Sequence, residues 1–450
     1  MTTTPTVESV GTQGRNSARH PVQVDIDGDF ALHDLLTLPA GGPARRITAT
    51  QATLAVLQRL DAAPRGAPTA SYQSGASTVS DTPSDADAAL LHRIETAGLF
   101  RPPVRERIAA LTLELGADWL ALAAHWIDLS RSCGDLRFLN AACKLTGAVW
   151  SRIHRADGTW RGQRLAGQLG AVGRLLGETT DRIRSRLADR VLLAEPPRSG
   201  EEVLHAARLA GNGQARIAVL AGAGSRSAAR LVTAATAAGL PIEAVCWYAA
   251  PHSEPMVSSN YSSAWYPPTS PGPSHPPGVP DGVPAITARS WDDVTAAIRT
   301  TDADLVLLLG MPVVPAHVLN VAKLGVLNAH NGALPSHRGM DAVGWALLHN
   351  QPIVCSLHLA RPAVDTGEII AAHPVPAAPT RTLAARVKTT QLRLLLAGAA
   401  HVAATGTLPD LTPQPASGTQ FYRLHPHLKR LLDASPYAHD DHPEETVIQP

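Results

Sequence analysis

Ile217-Ala-Val-Leu-Ala-Gly-Ala-Gly-Ser-Arg-Ser227 is the stretch from which the architecture can be read. Five apolar residues in a row, without polar alternation, describe a strand buried on both faces, as in a parallel sheet. A glycine turn follows, then a helical stretch from about Ala228 to Ala238 and a second apolar strand, Ile242–Tyr248. Strand, glycine turn, helix and strand open an α/β domain with a doubly wound, mostly parallel sheet. The turn has Gly222 and Gly224, but Ser227 stands where a dinucleotide fingerprint would place its third glycine. Backbone N–H groups of Gly222, Gly224, Ser225 and Arg226 at a helix N-terminus suit an anion, with Arg226 as charge partner. The same glycines equally serve a tight turn with no ligand at all.

The α/β pattern continues downstream with a helix over Ser290–Arg299 and a strand over Asp304–Gly310. It reaches Leu324-Gly-Val-Leu-Asn-Ala-His-Asn-Gly-Ala-Leu-Pro-Ser-His-Arg-Gly339, which begins as a strand and ends in turn residues. Strand residues two apart share a face, so Asn328 and His330 project into one space where the strand gives out. Val364-Asp-Thr-Gly367 adds a carboxylate in a turn that the fold could return to that space. An amide, an imidazole and a carboxylate suit acyl transfer to an amine. The first two stabilise a tetrahedral oxyanion, and the third orients the imidazole and handles protons. Each has a bland alternative: Asn328 closing the strand-end turn, His330 simply structural, Asp365 capping its own turn.

Asn328-x-His330, Leu334-Pro335, Arg338-Gly339, Trp345-Ala346, Ser356-x-His358 and Val364-Asp-Thr-Gly-Glu-Ile-Ile370 follow one another in an order and spacing similar to a known family. The pattern resembles the 10-formyltetrahydrofolate-dependent formyltransferases, over roughly residues 215–375. That family includes glycinamide ribonucleotide transformylase, methionyl-tRNA formyltransferase and sugar N-formyltransferases. His330-Asn331-Gly332 departs from it, since many members have His-Pro-Ser. The resemblance implies a formyltransferase with Asn328, His330 and Asp365 as catalytic residues and 10-formyltetrahydrofolate as co-substrate, without a metal. It implies that Gly310, Met311, Pro312 and Val313 hold the folate's pteridine through backbone groups, and that Gly222, Gly224, Ser225 and Arg226 face the substrate. His337 and Arg338 fall on the substrate-side loop, where they could meet an acidic group. His358 matches a position near the site, or is a satisfied strand histidine. Asp341 matches no family position and is expected to N-cap the next helix.

Around this domain the reading is less chemical. Residues 1–20 are polar and expected to be disordered. Residues 21–103 suggest a small α+β element, faintly similar to winged-helix peptide-recognition elements, though a packing cap explains it as well. Residues 104–212 are helical, with Trp119, Trp126, Trp150 and Trp160 read as core and Gly158–Gly162 as a turn. Residues 213–375 form the catalytic domain, interrupted by a Pro-rich loop at 251–284 read as a lid or a disordered excursion. Residues 376–450 supply a long helix, Thr380–Thr405, and a polar tail with a short helix near His427–Leu432.

A net charge of +1 points to neither nucleic acid nor a membrane surface. Cys133, Cys143, Cys246 and Cys355 lack metal-ligand spacing and fit a reduced, cytoplasmic protein. Without a basic surplus, and with a tail too strand-poor for the barrel of the methionyl-tRNA enzymes, tRNA is not the expected acceptor. The amine of a small molecule or peptide is, plausibly in specialised biosynthesis. Rival readings are hydrolysis of the formyl donor by water, and a peptide-recruiting partner carrying an inactive domain.

Overall fold

The computed structural model describes residues 109–153, 160–188, 215–249, 278–375 and 380–432, together with Ala88, Leu91, His92 and Glu95. The N-terminal 20 residues, nearly all of the 21–103 element, most of the Pro-rich loop and the tail beyond 432 lie outside the described residues.

The sheet is built as the apolar runs require. β1 (Ile217–Gly222), β2 (Ile242–Tyr248), β3 (Ala285–Ala288), β4 (Leu305–Leu309), β5 (Gly325–His330), β7 (Val354–Leu359) and β8 (Ile369–Pro374) form one sheet in the order β3-β2-β1-β4-β5-β7-β8. The first five in that order are parallel; β7 and β8 add antiparallel. β1 and β4 lie side by side at the centre and are almost wholly buried, which explains their unbroken hydrophobicity. Ligands of open α/β sheets bind beyond the strands' carboxyl ends where the winding reverses. Here the turn after β1 and the loop after β4 meet at that edge: a Cβ on Gly222 would lie 3.0 Å from Gly310 O. β5 pairs next to β4, with Asn328 opposite Leu308.

The helices cover both faces. α4 (Arg226–Ala237) and α5 (Trp291–Thr301) follow β1 and β3. Ser290 and Asp293 close a capping box on α5, each side chain accepting the other's backbone N–H. α6 (Ala316–Leu319) and α7 (Ala342–His349) are short, and α8 (Thr380–Thr405) is long, burying Leu383, Leu392, Leu395, Ala399 and Val402. Gly398 lets α8 press onto the sheet, since a Cβ there would stand 3.0 Å from Leu327 Cδ1 and Leu357 Cδ2.

Ahead of the sheet, α1 (Ala109–Cys133), α2 (Leu136–Ile153) and α3 (Trp160–Ala188) pack around Trp126, Phe138, Leu139 and Leu187. Trp126 is core as expected, but Trp150 is 56% exposed, so α2 turns that indole outward rather than inward. Trp119 is half-buried, and the Trp160 side chain lies outside the described residues. α3 already begins at Trp160, so Trp160–Gly162 is helix and not the expected turn.

Residues 408–432, expected as a polar tail with a short helix near His427–Leu432, run as a strap across the domain, and the short helix is present. Thr412 exchanges backbone hydrogen bonds with Ile369, both 2.8 Å. β9 (Gln420–Phe421) pairs with β6 (Arg338–Gly339), and α9 (Pro426–Leu432) buries Leu428, Leu431 and Leu432. The strap also grips α2: Asn140 donates to Arg423 O (3.1 Å) and accepts from His425 N (2.6 Å), while Arg137 donates to Gln420 O. These contacts run through backbone groups, which sequence composition does not report.

Gly398→Val should lower unfolding free energy by about 1–3 kcal/mol, because overpacking against β5 and β7 outweighs the roughly 0.3 kcal/mol by which β-branched valine betters glycine in a helix. Urea unfolding followed by circular dichroism checks it; a stabilised variant would show that α8 sits looser on the sheet.

Candidate active site

Along β5, Leu327 and Ala329 face the larger core, so Asn328 and His330 share the opposite side with Val326. His358 stands on β7 directly across from Asn328. Asp365 follows β7 in a turn, at the left-handed φ of 54°. The turn is tight because Gly367 runs against β7: any Cβ there would overlap Leu359 O.

These elements bring four side chains together. His330 Nδ1 lies 3.4 Å from Asp365 Oδ2, and His358 Nε2 lies 3.5 Å from Asp365 Oδ1. Asn328 Nδ2 is 3.1 Å from His358 Nε2, and His358 Nδ1 is 2.8 Å from Leu359 O. Gly339 N donates to Asp365 Oδ2 at 2.9 Å. The contact with Leu359 O assigns the neutral His358 proton to Nδ1, which leaves Nε2 to accept from Asn328. His330 Nε2 lies 2.7 Å from His337 O, closer than Nδ1 lies to Asp365, so the neutral ring is assigned its proton on Nε2. Its Nδ1 lone pair then faces the carboxylate, where a second proton would be held.

The electrostatics agree with that assignment. Burial lowers the His330 pKa and outweighs the raising effects of Asp365 and the His337 carbonyl, so the imidazole is disposed to be neutral. Burial pushes the Asp365 carboxyl up, but His330, His358 and the Gly339 N–H together hold it below the usual carboxylate value. Asp365 is therefore charged and the ring beside it can accept a proton.

The other residues singled out from sequence fall in different places. Gly222, Gly224, Ser225 and Arg226 form the turn into α4, with Gly224 at φ +82° and Arg226 exposed. The Ser225 hydroxyl accepts from Ala228 N and caps α4. Gly310 is left-handed at φ +59°, Met311 is half-buried, and Pro312 and Val313 are exposed in the loop after β4.

His337 and Arg338, expected to face substrate, are both buried by the strap. The His337 ring stacks on Phe421 with centroids 5.0 Å apart. Arg338 Nε and Nη2 donate to Gln414 Oε1 (3.1 and 3.0 Å), and Nη2 also donates to Pro415 O (2.9 Å). Asp341 occupies the N-cap position of α7 but does not cap it; its carboxylate accepts from Leu424 N and pairs with Lys429.

Two residues were missed. Gly332 lies where a Cβ would stand 2.5 Å from both His330 Nε2 and His337 O, so the departure from His-Pro-Ser is what admits that contact. Gln414 touches both Arg338 and the Asp365 turn. Its only local signal is a place between two prolines. Among the described residues no cluster of His, Cys, Asp and Glu is arranged to hold a metal ion.

Residues 215–396 match the family model described as formyl transferase. That segment is a formyl transferase domain. It is similar to the phosphoribosylglycinamide formyltransferase of Mycobacterium tuberculosis, at 33% identity over 138 residues, 28% of this chain and 64% of the relative. It is also similar to the methionyl-tRNA formyltransferase of Deinococcus radiodurans, at 30% identity over 134 residues, 29% of this chain and 41% of that protein. The chain thus spans less than two thirds of either relative. Among solved structures, glycinamide ribonucleotide transformylase 1 from Symbiobacterium toebii overlays at 20% identity and a TM-score of 0.32, covering 45% of this chain and 94% of that one. No helix among the described residues is long and apolar enough to cross a membrane.

Neither ring nitrogen of His337 has a hydrogen-bond partner among the described residues, and burial with the neighbouring His349 and His330 lowers its pKa from 6.5 to about 4. The unfolded chain takes up that proton below pH 6.5 and the folded one resists it, so stability present above pH 6.5 is lost towards pH 4. His337→Phe should make the acid-side loss of stability shallower by up to about 1.4 kcal/mol per pH unit in that window. Denaturant midpoints between pH 7 and 4 test this; an unchanged slope would place the missing proton elsewhere.

Proposed function

We propose that this chain transfers a formyl group from 10-formyltetrahydrofolate to the amine of a small molecule or peptide. The observation that carries the reading is the charged Asp365 carboxylate between His330 and His358, with the Asn328 amide on the same side at the end of β5. In this reading the amine attacks the formyl carbon of the donor and an oxyanion develops. Asn328 has two amide N–H groups; one meets His358, and the other is free to donate to that oxyanion. His330 takes the amine's proton at Nδ1, where Asp365 stabilises the imidazolium. The proton returns to the leaving folate nitrogen as its bond to the formyl carbon breaks.

The turn Gly222–Arg226 would receive an anionic group of the acceptor, its exposed Arg226 supplying charge. The exposed backbone of Gly310–Val313, adjoining Gly222 at the switch point, would receive the pteridine. Arg338 and His337 have no part in acceptor binding, since the strap covers both. The near-neutral charge supports a small-molecule or peptide acceptor over tRNA.

His330→Ala and Asp365→Asn should each lower formyl transfer by at least about a hundredfold with the fold intact. Candidate amines incubated with 10-formyltetrahydrofolate should gain one formyl group by mass spectrometry. Wild-type turnover in a folded His330→Ala protein would sink the assignment.

A further inference from the structure

The Asp365 turn has a support that nothing in its own strand pair supplies. A non-glycine residue at φ 54° is strained, and such residues persist only where surroundings over-determine them. The carbonyl of Asp365 and that of Gly367 both accept hydrogen bonds from one amide, Nε2 of Gln414, the first at 3.1 Å. The same side chain turns its Oε1 to Arg338, which is buried and lies on β6 beside Gly339. Gly339 N is the group that donates to the Asp365 carboxylate. Gln414 therefore ties together the two segments that fix the carboxylate: the turn that contains it and the strand that hydrogen-bonds it. The guanidinium also lies close against Gly418, where an added Cβ would stand 2.3 Å from Arg338 Cζ.

We propose that Gln414 is a positioning residue for catalysis, holding the Asp365 carboxylate against the His330 ring. This rests on the reading of Asp365 and His330 as catalytic groups. It also makes the strap part of the active site, since the residue lies far along the chain from the segment it holds. The asymmetry of the amide is essential: an acceptor must face Arg338 and a donor must face two carbonyls, a pairing that glutamine meets and neither glutamate nor methionine does.

The test uses full-length Gln414→Met and Gln414→Glu. Methionine keeps the volume and removes both polar ends. Glutamate keeps an acceptor for Arg338 but sets oxygen against the Asp365 and Gly367 carbonyls. With 10-formyltetrahydrofolate and hydroxylamine as a generic acceptor, both variants should lose about tenfold or more in kcat with KM for the folate little changed. In parallel, the His330 imidazole, assigned by comparison with His330→Gln, is titrated by NMR. In Gln414→Met its titration should move to lower pH, because a displaced carboxylate no longer favours the imidazolium.

Wild-type kcat in Gln414→Glu would show that the Arg338 contact alone matters and would overturn the proposal. So would an unmoved His330 titration in Gln414→Met. The titration needs no turnover, so it separates this proposal from the catalytic reading, which fails instead if Asp365→Asn keeps wild-type activity.

Discussion

A buried carboxylate beside two imidazoles is the constraint on which the described structure turns. Placing a charge at Asp365 away from water is costly unless it is paired and hydrogen-bonded. Gly339 N on β6 donates the hydrogen bond, and the rings of His330 at the end of β5 and His358 on β7 stand 3.4 and 3.5 Å from the carboxylate, where a proton taken up by His330 would be paired. They lie on three different strands, so the surroundings of the carboxylate depend on the β5–β7 register and the β6–β9 pairing. A slip of one residue between β5 and β7 would send His358 or Asn328 to the other face and leave the charge without its partners.

The architecture converts that constraint into a site. β1, β4 and β5 end at one edge, where Gly222 and Gly310 come close enough to exclude side chains between them. Two loops with accessible backbone groups thus flank the amide and imidazole, an arrangement suited to holding two reactants against one proton-transfer centre. The turn that joins the antiparallel β7 and β8 folds back so that the Asp365 carboxylate meets the His330 and His358 rings.

The strap gives the helical block a physical relation to this centre. Asn140 and Arg137 on α2 hold backbone groups at 420, 423 and 425, and the same strap covers His337, engages Arg338 and supports the Asp365 turn through Gln414. The buried Lys144–Glu95 pair extends the contact from α2 to Glu95. A disturbance at this interface therefore reaches β9, β6 and Gly339 through hydrogen bonds rather than through loose packing.

Several features were determined by sequence alone, because local chemistry suffices for them. The unbroken apolar runs at Ile217 and Leu305 can only be strands covered on both faces. The stretch Ser290–Arg299 reads as a helix, and Asn328-x-His330 must share a face through the pleat. The tertiary structure alone decided where the returning segments land. Arg338 and His337 have the composition of a substrate loop, yet a strand more than 80 residues away covers them. Nothing beyond its flanking prolines marks Gln414, and Trp150 fits its helix equally well facing in or out. Periodicity reports which face a residue takes; it is silent on what that face will meet, because the partner is chosen by long-range backbone pairing.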